Sequence, residues 1–322
     1  MLKDKASLRQ IIFSDETLRF EVLAVHIKWQ APLLLIYRIY KLQLKTTGNK
    51  KILLVEDNLV NCEVAIDMLE TIGLNIDVAS NGRQALDLYD INQYMLILMD
   101  CEMPIMDGYS ATRHIRSRES KSHDSSNPKT PMPIIALTAH VMSSTKEKCI
   151  AIGMDDFLGK PFSLSELKSM LTKWLETDVM NVPIQRHHKA GAAYSTGIDD
   201  INSDWSVLNY DVMNKFYLKQ QKDGSNLVSN IINIYIDQSS GLLGELTEAA
   251  RKKDIESVRL ITHTLKSSND NVGAFSLAEL CRNVEKICVK GSIDEILVNQ
   301  IYQNYSEVDK ALKQVLDNIK AY

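Results

Sequence analysis

Glu56-Asp57, Asp100, Thr138 and Lys160 each stand at the end of a short apolar run. Residues 51–55 lead into the acid pair, 95–99 into Asp100, 133–137 into Thr138, and 157–159 into Lys160-Pro161. Short apolar runs separated by helical periods read as buried parallel strands with crossover helices. Ligand chemistry in such sheets gathers at the carboxyl ends of the strands. Three acids, a hydroxyl and an ammonium would then meet at one edge. Two carboxylates 4 Å apart repel by roughly 1 kcal/mol in water and about 4 at an effective dielectric of 20. A fold therefore holds three of them with a cation or a proton. Oxygen donors with open positions suit Mg²⁺, which offsets charge on a phosphoryl group. Lys160 adds a second positive charge and Thr138 a hydroxyl donor. The chemistry this set can do is phosphoryl transfer, which needs positioning and an electrostatic clamp.

A second candidate lies far along the chain. His263 falls in a helical stretch whose apolar stripe is Val258, Ile261, Leu265 and Val272. At 100° per residue it points about 200° from Ile261 and from Leu265. The phase predicts an exposed imidazole, with Lys266 and Ser267 one turn further along the same face. A histidine beside a lysine suits a nucleophile that accepts an anionic phosphoryl group. Gly273 falls within about 80° of that side, where a small residue would leave room for a docking partner.

The elements that must position these groups divide the 322 residues into parts. Residues 1–48 contain an alternating run (Leu23, Val25, Ile27, Trp29) and then Pro32; they read as an unassigned segment or the remnant of an upstream kinase domain. From 50 to 176 strand and helix alternate five times, which predicts a doubly wound (βα)5 α/β domain. Its first helix carries Cys62, Ala65, Leu69 and Ile72 on one stripe, and its last carries Leu164, Leu167, Leu171 and Trp174. Asn81-Gly82 marks a turn and Ser163 a helix cap. The polar stretch 117–130 reads as an exposed insertion. Residues 177–204, with His187-His188, read as a solvated linker; as a random coil it spans ~30 Å. Residues 205–322 have helical period throughout. The stripes Leu227–Ala249, Leu277-Leu280-Val284-Ile287 and Ile293–Val315, with the helix of His263, predict an antiparallel four-helix bundle. A short helix near 211–221 would precede it.

Bulk properties exclude several roles. A net charge of -4 and no long basic run give no footprint for nucleic acid. No segment reaches the 18 or more apolar residues of a membrane span, and no cleavable leader is seen. The five cysteines lack a C-x-x-C pair; unpaired thiols, with Cys281 and Cys288 as core residues, fit a cytoplasmic protein.

ILLVEDN at 52–58, LILMDCEMPIMDG at 96–108, PIIALTAH at 133–140 and DDFLGKPF at 155–162 closely resemble the response-regulator receiver domain. The resemblance spans about 50–175. It implies Asp100 as phospho-acceptor and Glu56 and Asp57 in an acidic pocket. It also implies a Mg²⁺ ion that takes the backbone carbonyl of Glu102 as a further ligand. Thr138 and Phe157 match the family's switch pair, Lys160 its phosphoryl-contacting lysine, and Pro161 the residue after its cis peptide bond. HTLKSSNDNVGA at 263–274 resembles the histidine phosphotransfer domain over about 207–320, with Asp270 replacing a small apolar residue and leaving a charge near the docking face.

The two resemblances together read as the output half of a hybrid sensor histidine kinase. They imply a two-component phosphorelay intermediate: phosphoryl group on to Asp100, across to His263, out to another receiver. The implied partners are a donor histidine kinase and a downstream response regulator. No Gly-rich ATP-binding segment is seen, so the enzymatic content implied is self-catalysed phosphorylation and dephosphorylation of Asp100. Two other readings stand: a truncated hybrid kinase, and a receiver that acts only as a phosphorylation-controlled binding module with His263 unused.

Overall fold

Five parallel strands, in the order β2-β1-β3-β4-β5, form the sheet of the first domain. The structure is a computed structural model and describes residues 51–121, 131–139, 143–175 and 204–321. The predictions for 1–48, most of the linker and 122–130 lie outside the described residues. The strands are β1 (Lys51–Val55), β2 (Asn75–Ala79), β3 (Leu96–Asp100), β4 (Ile134–Thr138) and β5 (Asp156–Gly159). Strands β3 and β4 are buried at every residue, as expected where helices cover both faces of a parallel sheet. Helices α1 (Leu59–Ile72), α2 (Gly82–Ile91), α3 (Gly108–Lys121), α4 (Ser143–Ile152) and α5 (Leu164–Trp174) make the crossovers. Asn81 does more than turn the chain, since its side chain caps α2 by accepting from Gln84 N. Ser163 and Glu166 form a capping box on α5. Residues 117–121, expected in an insertion, complete α3.

The second part is helical. It comprises α6 (Tyr210–Asp223), α7 (Leu227–Arg251), α8 (Ile255–Asn271), α9 (Phe275–Val289) and α10 (Glu295–Ala321). The last four are the expected bundle. The short helix expected near 211–221 is a full 14 residues and packs on α7. Helix α8 buries Val258, Ile261 and Leu265 as predicted. On α9 the buried stripe is Leu277, Cys281, Val284 and Cys288, with Leu280 and Ile287 only half-buried at its edge. All five cysteines are buried free thiols.

All the described residues lie in one compact unit, and a continuous apolar cluster runs through the sheet, α1 and the bundle. Helix α1 explains why. The stripe of Cys62, Ala65 and Leu69 is buried, yet Val60, Val64 and Met68 on the opposite side are buried too. A helix apolar on two faces needs two neighbours. Its second face packs on α7 and α8.

Candidate functional site

The carboxyl ends of β1, β3, β4 and β5 share one edge of the sheet, so the predicted residues converge there. One oxygen each from Glu56, Asp57 and Asp100 lies within 4.8 Å of the others. Lys160 Nζ donates to Glu56 Oε2 at 2.6 Å and meets Asp100 Oδ2 at 2.8 Å. Glu56 Oε1 accepts from Asn61 Nδ2 at 2.8 Å. Lys160-Pro161 is a cis peptide. Thr138 is buried at the end of β4 beside Gly159, and Phe157 is half-buried on β5. Gly108 lets the loop after β3 close over the acceptor strand: its N–H donates to Cys101 O, and a Cβ there would fall 1.9 Å from Asp100 O.

Charge in this pocket is unbalanced. Burial, and then the neighbouring Asp100, push the Asp57 carboxyl up to about 6. Burial also pushes Asp100 up to about 6, against the pull of Lys160. Burial opposes the charge on Lys160, but Asp100 and Glu56 outweigh it and hold the ammonium above the ordinary lysine range. One lysine among three carboxylates leaves room for a further cation. The oxygen-only donor set fits a hard divalent ion such as Mg²⁺.

The imidazole is not exposed. His263 is only 7% accessible and Lys266 only 4%, and Ser267 is buried beside them. The phase finds the buried stripe Val258, Ile261 and Leu265, but the exposure it implied for the other side fails, since Thr262, His263, Lys266 and Ser267 are buried too. What covers it is Glu285 of α9 and the receptive edge of the sheet. His263 Nδ1 lies 2.7 Å from Glu285 Oε1, and Lys266 Nζ donates to Glu285 Oε2 at 2.8 Å. Burial works against the Glu285 charge, but His263 and Lys266 outweigh it and hold the carboxyl at about 2. A carboxylate only accepts. Nδ1 therefore carries the proton in the neutral ring, and Nε2 keeps its lone pair. Glu102 of the loop after β3 faces the same ring, with Oε2 at 3.8 Å from Nδ1 and 2.6 Å from Arg259 Nη1. Burial would raise the Glu102 carboxyl, but His263 and Arg259 outweigh it and hold it below its usual range.

Two other expectations change. Gly273 does not clear a docking face: its φ is +77°, and a Cβ would meet Asn209 at 3.1 Å. Its carbonyl accepts from Asn209 N at 2.9 Å, so it turns the chain out of α8 against the start of α6. Asp270 is no stray charge, being bidentate with Arg282 at 2.7 and 2.9 Å. Sequence reasoning missed Glu285, Arg259, Asn58 and Asn61. The available signal was the second apolar stripe of α1, which announces a partner surface next to the acid pair.

Residues 52–172 match the response regulator receiver domain and residues 230–322 match the Hpt domain. The chain thus carries a receiver domain at 52–172 followed by an Hpt domain at 230–322. Over 151 residues it is 38% identical to "Histidine kinase 5" of Arabidopsis thaliana, a match that covers 41% of this chain and 16% of that protein. The chain thus matches a small part of such a relative's length. Among solved structures it is 30% identical to a chain from the co-crystal of the Saccharomyces cerevisiae histidine phosphotransfer protein Ypd1 with the Ssk1 receiver domain, with a TM-score of 0.38 over 40% of this chain and 91% of that one. It is 41% identical to the receiver of a sensor histidine kinase from Pseudomonas aeruginosa that has magnesium in its cleft, with a TM-score of 0.34 over 39% and 98%. Within this chain the receiver's strand-end edge faces the Hpt histidine.

Proposed function

We propose that the chain is a two-component phosphorelay intermediate in which Asp100 accepts a phosphoryl group and His263 takes it on. The observation that carries this reading is the burial of His263 at the receiver edge, with Oε2 of Glu102, in the loop after Asp100, 3.8 Å from its Nδ1. A carboxylate oxygen of Asp100 attacks phosphorus of the donor, and the bond from phosphorus to the donor breaks. Lys160 holds Asp100 in place and meets charge on the phosphoryl oxygens. In the second step the Nε2 lone pair of His263 attacks phosphorus, and the phosphorus–oxygen bond breaks back to the Asp100 carboxylate. The ring becomes cationic without losing the Nδ1 proton, and the Glu285 carboxylate offsets that charge.

Mg²⁺ fits the pocket of Glu56, Asp57, Asp100 and the Glu102 carbonyl, and when bound it supplies positive charge for the phosphoryl oxygens. Thr138 and Phe157 serve as the switch pair, and Lys266 adds positive charge beside the imidazole. The donor is a histidine kinase, and the outlet is the receiver of a response regulator. The five free thiols support a reducing cytoplasm. No helix among the described residues is long and apolar enough to cross a membrane.

A labelling experiment tests the reading. With a small-molecule phosphodonor, the natural chain should carry base-labile phosphate on Asp100 and acid-labile phosphate on His263. Asp100→Asn should carry neither, and His263→Gln only the base-labile form. Acid-labile phosphate in the Asp100→Asn chain would show that the relay does not pass through Asp100.

A further inference from the structure

Beside the apolar packing of α1 on the bundle, two kinds of polar contact join the receiver to the Hpt domain. Ion pairs sit at partly exposed positions: Arg259 with Glu102 at 2.6 Å, and Lys219 with Asp67 at 2.7 Å. Amides form the second kind, one of them fully buried. Asn58 is 1% exposed, and its Nδ2 donates to Thr264 O at 2.9 Å and to Ser268 Oγ at 2.8 Å. Asn271 Nδ2 donates to Asn61 Oδ1 at 2.6 Å.

Asn58 also begins α1. Its Oδ1 accepts from Val60 N and Asn61 N at 3.0 and 3.2 Å. Serine or aspartate would cap a helix as well as asparagine, so the cap alone does not require an amide. The amide accepts from α1 with Oδ1 and donates twice across to α8 with Nδ2, where aspartate has no donor and serine has one and a shorter reach. Asn61 has the same double character, since its Nδ2 holds Glu56 of the acid pocket while its Oδ1 receives Asn271. Both amides thus tie the acid edge to the helix that carries His263. Ion pairs open to solvent on one side are weakened by salt. A buried amide such as that of Asn58 is costly to leave unpaired, which makes it the stronger discriminator.

We propose that Asn58 and Asn61 are the specificity determinants of docking on the His263 face, and that this face fits receivers carrying Asn-x-x-Asn directly after the acid pair. The proposal rests on the relay reading only for the consequence in transfer. The determinants themselves are read from contacts.

The test uses the full chain with Asn58→Ser, Ser268→Ala and the double variant. Serine keeps the cap on α1 and is too short to reach α8. Transfer to His263 is scored per acyl phosphate formed on Asp100, so loss at the acceptor does not count. Access to His263 is read separately by its reaction with diethyl pyrocarbonate, with the modified residue located by peptide mass. Asn58→Ser should slow transfer about 10-fold or more and expose His263 to the reagent. The double variant should be no worse than Asn58→Ser, because both lose the same contact. Natural transfer rate and natural protection in Asn58→Ser would overturn the proposal. So would a loss of stability and of His263 protection confined to Asn58→Ala and absent from Asn58→Ser, which would reduce Asn58 to a cap. If His263 becomes exposed in Asn58→Ser while the natural chain shows no transfer, the docking determinants stand and the relay reading falls.

Discussion

The receiver pocket draws its groups from four strand ends, whereas the histidine face draws its groups from two neighbouring helices. In the pocket, Glu56, Asp100 and Lys160 are far apart in sequence and are placed by the sheet's backbone register. On the Hpt side, His263 and Lys266 share a turn of α8, and Glu285 reaches them from α9. The two sites also differ in charge. Three carboxylates against one lysine leave the pocket short of positive charge, with Asp57 and Asp100 both raised to about 6. Glu285 balances Lys266 and orients the imidazole through Nδ1. A site built to receive an ion is left unbalanced; a site built to hold a nucleophile is balanced in advance.

That contrast can be broken by experiment. Leu265 is buried in the apolar cluster behind His263. Leu265→Ala should lower Hpt stability by about 2–5 kcal/mol in urea unfolding, while His263→Gln should leave the apolar core intact and cost less. A larger loss from His263→Gln would mean that the imidazole, not Leu265, holds the helix.

Next in size is the metal effect. Millimolar Mg²⁺ should stabilise the receiver, by about 2.7 kcal/mol at 100 times its dissociation constant. Asp57→Asn should raise stability without metal and shrink the gain with it. An unmoved melting temperature in the natural chain would mean that Lys160 alone suffices.

The smallest effect concerns pH on the balanced side. Glu285 has its folded pKa lowered to about 2, so its contribution is present above its ordinary value near 4.5 and fades as pH falls towards 2. Thermal melts of Glu285→Gln against the natural chain should converge as pH drops from about 5 to 2. A constant gap across that window would show that Glu285 acts through packing rather than charge.

Much of the receiver was legible because parallel strands place their carboxyl ends on one edge. Residue type at those ends then named the chemistry. Helix phase also served well, since it put His263 away from Ile261 and Leu265. It could not say what covers that side. Phase fixes a side chain's direction relative to its own helix, and burial depends on whichever surface arrives from elsewhere in the chain. Glu285 was hidden for a related reason: a lone acid on an amphipathic helix looks solvated until the neighbouring helix is placed. Gly273 misled because small size and positive φ look alike in a sequence.

Asn58 is the first turn of the receiver's own helix and part of its grip on α8, so folding one domain builds the latch for the other. The proposed internal transfer is then first order, and its rate is unaffected by dilution. A tethered receiver faces His263 at an effective concentration on the order of millimolar. Any outside receiver present at micromolar levels meets a surface already occupied, and its rate of service is set by how often the latch lets go.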